Sequence, residues 1–364
     1  MLENNGMKIL FLEPFYGGSH KDFALGFQSV CPHEVTLVTL PDRFWKWRMR
    51  GAALYFARTV SDMASYDLIL ATDMMDLTDL KALAGPDLPP VWLYFHENQL
   101  DYPLAKRQKR DFHLGFTNII SALAADRVFF NSHHHLNTFL YHAQKLIRRM
   151  PDAIPAGMIE RIEEKTQVIY PGCRFEPGKI ELAPPNTEAP LIIWNHRWEH
   201  DKNPDPFFRA LARLKEKKIC FSLALLGEDF TQAPGVFDRA GKVFKDELIQ
   251  YGYLDARDDY LACLRKGAIV VSSAIQENFG ISIVEAVRHG CIPLLPRRLS
   301  YPEIIPENVH DKLLYQTDED LEERLEEMVD NYCEYEPLRP FLSGHMERYA
   351  WQNIIKTYPA SIHS

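Results

Sequence analysis

The sequence predicts an α/β protein made of two doubly wound parallel sheets, and three observations carry that prediction. Short apolar runs alternate with helix-length segments from residue 7 onward, a proline-rich stretch interrupts the alternation near the middle, and the alternation then restarts. At 364 residues the chain is long enough for two domains that each bury a core.

The first run, MKILFLEPF (7–15), is followed by Gly17, Gly18 and a helix-like stretch from Ser19. It reads as a buried parallel strand, a tight loop and a helix. EVTLVTL, YDLILATD, VWLYFHEN, DRVFFNS and TQVIYPG repeat the pattern, most of them closed by small or polar residues. RFEPGKIELAPPNTEAP (174–190) holds four prolines and no sustained periodicity, as a linker would. LIIWN, CFSLALLGE, LIQYGYL, AIVVSSA and CIPLLP then supply a second set of strands. The expected domains are 1–176 and 190–334, joined by 177–189, with a helical segment, 335–364, packing back towards the first. Two such sheets would face each other across a central cleft lined by their carboxyl edges, where doubly wound folds bind ligands.

Composition narrows the class. Apolar residues make up 46% and charged residues 25%, as in an ordinary globular protein. No apolar run reaches the eighteen or so residues that span a bilayer, and the N-terminus is no signal peptide, so a cytoplasmic location without membrane association is expected. The six cysteines are dispersed with no C-x-x-C pair, which suggests buried reduced thiols. A net charge of −9 argues against electrostatic coating of nucleic acid. Residues 1–178 carry 19 basic against 20 acidic side chains, however, so nearly all the excess lies in the second half and the first half is the more hospitable to a polyanion.

HRWEH (196–200) spells H-x-x-E-H, the pattern of a zinc-binding helix. That site needs two helical turns, yet LIIW precedes it and Pro204 and Pro206 follow, leaving no room for them. The alternative is a loop leaving a strand, in which Arg197 and Lys202 could hold a diphosphate. Taken alone, this loop fits equally well a surface segment whose cations pair with Glu199 and Asp201.

Downstream, SSAIQENFGISIVEAVRHGCIPLLP (272–296) places Glu277, Asn278, Phe279 and Gly280 at the start of a helix that carries Glu285. Uncapped N–H groups at 278–280 could bind sugar hydroxyls or a phosphate oxygen, and Gly280 permits close backbone approach. With F-G inside E-x7-E and G-C-x-P closing the helix, this stretch resembles the donor-sugar signature of glycosyltransferase family 4, whose fold is the GT-B pair of Rossmann-like domains. The resemblance implies a nucleotide-sugar donor with Arg197 and Lys202 on the diphosphate, Glu285 on the ribose, and Glu277 with residues 278–280 on the sugar. Guanine would be read near YGYL (251–254).

EPFYGGSHK (13–21), YFHENQLDYP (94–103), HRWEHDK (196–202), YPEI (301–304) and the tryptophan-arginine segment at 43–50 are similar to the tRNA-queuosine mannosyltransferases, nearly end to end. That resemblance implies transfer of mannose from GDP-mannose to the cyclopentenediol of queuosine in the anticodon loop of tRNA(Asp), with retention. It puts Gly17 and Gly18 at the diphosphate and His96 beside the anomeric carbon, His96 and Glu277 being the expected catalytic pair. His96 could instead be a structural strand-end histidine. No cofactor and no metal would be needed, since two cations balance the diphosphate; the D-x-D at 318–320 fits a helix N-terminus better. No obligate protein partner is evident.

Under that resemblance RNA would lie along Arg43, Trp45, Lys46, Trp47, Arg48 and Arg50, with Lys106, Arg107, Lys109 and Arg110 adding charge, because aromatics stack on unpaired bases while cations meet phosphates. The competing reading is a solvated face over core aromatics. Two other functions stay open: a family-4 transferase acting on another acceptor (lipid, glycan or free nucleoside), and a non-catalytic RNA- or sugar-nucleotide-binding protein.

Overall fold

A computed structural model describes residues 6–103, 110–175, 177–227 and 235–362. Lys106, Arg107 and Lys109 of the expected RNA patch lie outside the described residues. The chain forms two compact units, Met1–Arg174 with Tyr349–Ser364, and Phe175–Arg348.

The first unit holds six strands, β1 (Lys8–Tyr16), β2 (Glu34–Pro41), β3 (Leu68–Thr72), β4 (Val91–Phe95), β5 (Arg127–Phe130) and β6 (Thr166–Val168). They pair in parallel in the order β2-β1-β3-β4-β5-β6. Helices α1 (Gly18–Val30), α2 (Trp45–Thr59), α3 (Leu77–Ala84), α4 (Phe112–Ala124), α5 (His133–Ile147) and α6 (Met158–Glu163) connect or follow them. Strand alternation sorts β1 between two cores: Leu10 and Leu12 join Ala53 and Phe56 of α2, whereas Phe11 meets Phe23 and Phe27 of α1 edge-on. Since β2 lies on one side of β1 and β3 on the other, the winding direction reverses there, and the carboxyl ends of β1 and β3 flank a switch point.

The second unit repeats the plan with β7 (Leu191–Asn195), β8 (Ser222–Leu226), β9 (Leu248–Tyr251), β10 (Ile269–Val271), β11 (Ile292–Pro296) and β12 (Leu314–Tyr315), ordered β12-β11-β10-β7-β8-β9. Its helices include α7 (Pro204–Glu216), α8 (Val236–Val243), α9 (Arg257–Lys266) and α10 (Ile281–Arg288). Here the switch point lies between β7 and β10.

The described residues of the proline-rich segment form no helix or strand, and Gly178 is fastened to the second unit. The Gly178 N–H donates to Glu347 Oε1 at 2.9 Å, and its carbonyl accepts from Arg288. The tail expected at 335–364 divides. Arg339 donates to the Gly290 carbonyl and Ser343 to that of Arg288, which keeps these residues on the second unit, and only from Tyr349 does the chain join the first. There Trp351 packs on Phe23, and Tyr358 on Phe27 and Phe129. Among the described residues no helix is long and apolar enough to cross a membrane.

Candidate active site

Each switch point carries a polar cluster. In the first unit Glu13, towards the carboxyl end of β1, is fully buried, and α1 begins two residues after Tyr16, where Gly18 takes a left-handed φ of +47°. A Cβ on Gly17 would strike the Asp42 carboxylate, so the turn has no room for a side chain at that residue. The tight turn brings His20 back over Glu13, with Nδ1 3.2 Å from Oε1. Strand β4 delivers His96, whose backbone N–H donates to Asp73 Oδ1 at 2.8 Å and whose carbonyl accepts from Asn131 at 2.9 Å. The two imidazoles lie 4.1 Å apart, tilted by 37°, and Phe23 and Tyr94 complete the wall around His96.

The charges of this cluster follow from its partners. Burial works against a charged His20, but Glu13, then Asp73 and Glu97, outweigh it and raise its pKa to about 9. His96 goes the other way: burial, the His20 charge and His135 push it well below the usual range, so it is neutral. Burial lifts Asp73 to about 8, with Glu97 and Glu13 adding to it. One cation thus serves three carboxyl groups, and a second buried negative charge is avoided by keeping a proton on Asp73.

Glu13, His20 and His96 offer donor atoms within 4.8 Å of one another, the one such group among the described residues. The two rings are tilted by 37° at 4.1 Å, and one donor atom, His20 Nδ1, is already engaged by Glu13 Oε1 at 3.2 Å. Glu13 and His20 form a hydrogen-bonded pair with the His96 ring against it.

In the second unit the H-x-x-E-H stretch is no helix. Only His200–Lys202 forms a short 3-10 turn, ended by Asn203 in a left-handed conformation before Pro204 opens α7. His196 is buried beside Trp194, and its pKa falls to about 3 through burial and Lys202, while His200 is exposed. Lys202 is buried and three acceptors surround its ammonium: the Gln276 carbonyl at 3.0 Å, Asp201 Oδ2 at 3.1 Å and Glu277 Oε2 at 3.3 Å. Burial opposes the charge, but Glu277 and Asp201 hold it above the ordinary lysine value. Arg197 is exposed and pairs with Glu199 at 3.1 Å. The pairings weighed against a diphosphate site therefore both form.

Around the second glutamate, Gly280 caps α10 with a φ of +101°. The helix starts one residue later than the expected donors, and Phe279 N–H turns back to Glu277 Oε1 at 3.4 Å. Asn278 accepts from Gln276, and Phe279 is buried. Glu285 is buried with each oxygen engaged, one by Arg257 at 2.5 Å and one by the Tyr260 hydroxyl at 3.0 Å, which in turn accepts from Asn195. Sequence reading missed Glu13, His20, Asp73, Asn195, Arg257 and Tyr260. Glu13 and His20 stand inside the quoted EPFYGGSHK, and a glutamate two turns into an otherwise apolar helix already required a partner.

The aromatic-basic segment splits along α2. Trp45 packs on Met49, Met74 and Leu114 as the core reading had it. Phe44 and Trp47 stand 69% and 75% exposed, with Arg43, Lys46 and Arg50 beside them in solvent. Arg48 Nε donates to the Pro41 carbonyl, and Arg110 braces the loop at Gln99 and Tyr102. Those two guanidinium groups are part of the scaffold.

Residues 180–339 match the family model of glycosyl transferases group 1. The fold agrees across nearly the whole chain with Anabaena HepE in complex with UDP (TM-score 0.65, 16% identity, 96% of this chain and 97% of that one). It agrees likewise with the sucrose-phosphate synthase of Thermosynechococcus elongatus (TM-score 0.64, 13% identity, 97% and 95%). The molecule is a glycosyltransferase of the GT-B fold. Residues 8–173 match the model of the tRNA-queuosine alpha-mannosyltransferase N-terminal domain. A tRNA-queuosine alpha-mannosyltransferase of Drosophila melanogaster is 38% identical over 315 residues, 83% of each chain. The chain belongs to the tRNA-queuosine alpha-mannosyltransferase family.

Proposed function

We propose that this chain transfers mannose from GDP-mannose to the cyclopentenediol of queuosine in the anticodon loop of tRNA(Asp), retaining the anomeric configuration, in the cytoplasm and without a metal ion. The observation that carries the reading is that the first unit itself matches the queuosine-specific family, not only the second unit the broad transferase family. The exposed Trp47, with Arg43, Lys46 and Arg50 around it, supports an RNA acceptor, because a tryptophan left in solvent gains nothing for the fold and offers a stacking face.

The chemistry needs no protein nucleophile. The acceptor oxygen bonds to the anomeric carbon on the face that the diphosphate leaves, and its proton passes to the departing phosphate oxygen. Lys202 and Arg197 stabilise the leaving charge, which is why no metal is required, and Glu285 holds the ribose. Gly17 and Gly18 let the backbone approach the diphosphate, Glu277 and residues 278–280 face the sugar, and His96 stands beside it. Because Lys202 already has three acceptors around it, the donor must displace one of them or be held through the field of the ammonium.

The test is incubation with queuosine-containing tRNA and each of GDP-mannose, GDP-glucose, UDP-glucose and UDP-galactose, with mass spectrometry of the digested nucleosides. A hexose gain on queuosine with GDP-mannose alone supports the proposal. A gain with another donor corrects the sugar nucleotide. No gain with any donor, from a chain that binds a nucleotide, moves the acceptor elsewhere.

A further inference from the structure

The Glu13–His20 pair is a buried pair of titratable groups to which no role is assigned above. Both residues are buried, they bond at 3.2 Å, and Glu13 Oε2 has no hydrogen-bond partner among the described residues. An ion pair in such a place is costly to maintain compared with apolar side chains, so fold stability is a poor reason for it. Its position suggests another. The His20 ring lies against His96 at 4.1 Å, and Phe15 meets His20 edge-on at 5.8 Å.

We propose that His20 is a positioning residue for the transfer reaction: as an imidazolium anchored by Glu13, it excludes a second positive charge from the neighbouring His96 ring and fixes that ring's orientation. This rests on the reading of His96 as the group beside the transferred sugar. In sugar transfer the anomeric centre becomes positive as the diphosphate leaves, and a protonated His96 would oppose that charge. A neutral ring accepts a hydrogen bond from a sugar hydroxyl instead. The groups facing the pair are Glu13 from β1, Asp73 after β3, Glu97 after β4 and His135 from α5; the remaining neighbours, Phe15, Phe23 and Tyr94, carry no charge. Among these, His20 and His135 lower the proton affinity of His96, and His135 is itself pushed to about 3 and so carries no charge near neutrality. The repulsion at working pH therefore comes from His20.

The experiment follows transfer rate from pH 5 to pH 9 at saturating donor and tRNA for the wild type, His20→Gln and the double variant Glu13→Gln/His20→Gln. Histidine ¹³Cε1 NMR titration of the same full-length chains without substrates runs in parallel, with His96→Gln assigning the signal. The wild type should hold its rate to the acid end. His20→Gln, which leaves Glu13 unpaired next to His96, should lose rate on the acid side with the limb raised by about 1–3 pH units. The double variant removes both charges and should fold more readily, with the limb back near its wild-type place. A merely structural His20 would lower rates without moving the limb, and that result overturns the proposal, as does a wild-type limb near pH 6.5. If the wild type transfers nothing at any pH, the donor and acceptor reading has failed, and the NMR titration decides the coupling alone: an upward shift of His96 in His20→Gln sustains it and no shift overturns it.

Discussion

Lys202 Nζ lies 3.3 Å from Glu277 Oε2, and this contact ties the loop after β7 to the turn that opens α10. With Asp201 and the Gln276 carbonyl, it accounts for all three ammonium hydrogens. Lys202→Ala should therefore do two things. It leaves two carboxylates facing each other without a cation, which should destabilise the chain by about 3–5 kcal/mol in urea unfolding. It should also weaken donor binding by calorimetry. Full stability with weak donor binding would show the ammonium to be a ligand group only, and the reverse would make it purely structural.

Glu285 gives a sharper separation, because both its partners can be removed singly. Tyr260→Phe deletes the hydroxyl that lies 3.0 Å from Oε2 and should cost about 1–3 kcal/mol of stability. If the carboxylate holds the ribose equally in ground and transition states, donor KM should rise with kcat preserved. A fall in kcat at unchanged KM would place Glu285 nearer the reacting atoms.

These two relationships show where the sequence was legible. Most of strands β1 to β11 lie in short apolar runs separated by helix-length segments, so their order along the chain could be read directly, even where, as in β6 and β9, the strand itself is only partly buried. Strand β12, Leu314–Tyr315, is two residues long and leaves no periodic trace. Arg257 meets Glu285 across 28 residues, and nothing local marks one as the other's partner. The H-x-x-E-H spelling was resolvable because Pro204 and Pro206 forbid the helix it needs. Trp45 and Trp47 were not separable, since which of two neighbouring tryptophans faces the core depends on where α2 starts, and Phe44 sets that by adopting a φ of +57°. His20 and Glu13 were in view but unread, because a turn of two glycines has to be built before residues seven apart are seen to touch.

The tail anchor predicts a purely structural effect. A Cβ on Gly26 would lie 1.8 Å from Trp351 Nε1, and one on Gly172 would lie 2.1 Å from the same indole, so the ring fills a slot made by two glycines. Trp351→Ala should cost about 3–5 kcal/mol. Gly26→Ala should expel the ring and speed proteolysis after Tyr349. Transfer by surviving folded protein should fall only as far as the folded fraction does.

His20 also predicts a pH dependence of stability. Its pKa rises from 6.5 to about 9 on folding, so the native state holds the proton more tightly. The stability this contributes is complete below pH 6.5 and is lost as pH rises through 9, a change on the order of 3 kcal/mol. Urea midpoints taken from pH 6 to pH 10 should decline more steeply for the wild type than for Glu13→Gln/His20→Gln. Parallel curves would mean that His20 does not hold its proton in the folded chain.

The α2 face separates packing from RNA binding within three residues. Trp45→Ala should cost stability, since the ring packs against Met49, Met74 and Leu114. Trp47→Ala removes a solvated ring and should leave unfolding within about 0.5 kcal/mol of the wild type. If Trp47 stacks on an unpaired base, tRNA affinity should drop by about 1–3 kcal/mol, roughly 5- to 150-fold, with donor KM unchanged. Arg43→Gln and Arg50→Gln should act differently again. Each cation that neutralises a phosphate of a single strand contributes about 0.7 to the slope of log affinity against log salt, so each variant should flatten that slope by about that amount. Filter binding of queuosine-containing tRNA between 50 and about 300 mM salt measures both effects. Unchanged affinity in Trp47→Ala together with an unchanged slope in both arginine variants would mean that the acceptor is held by another face.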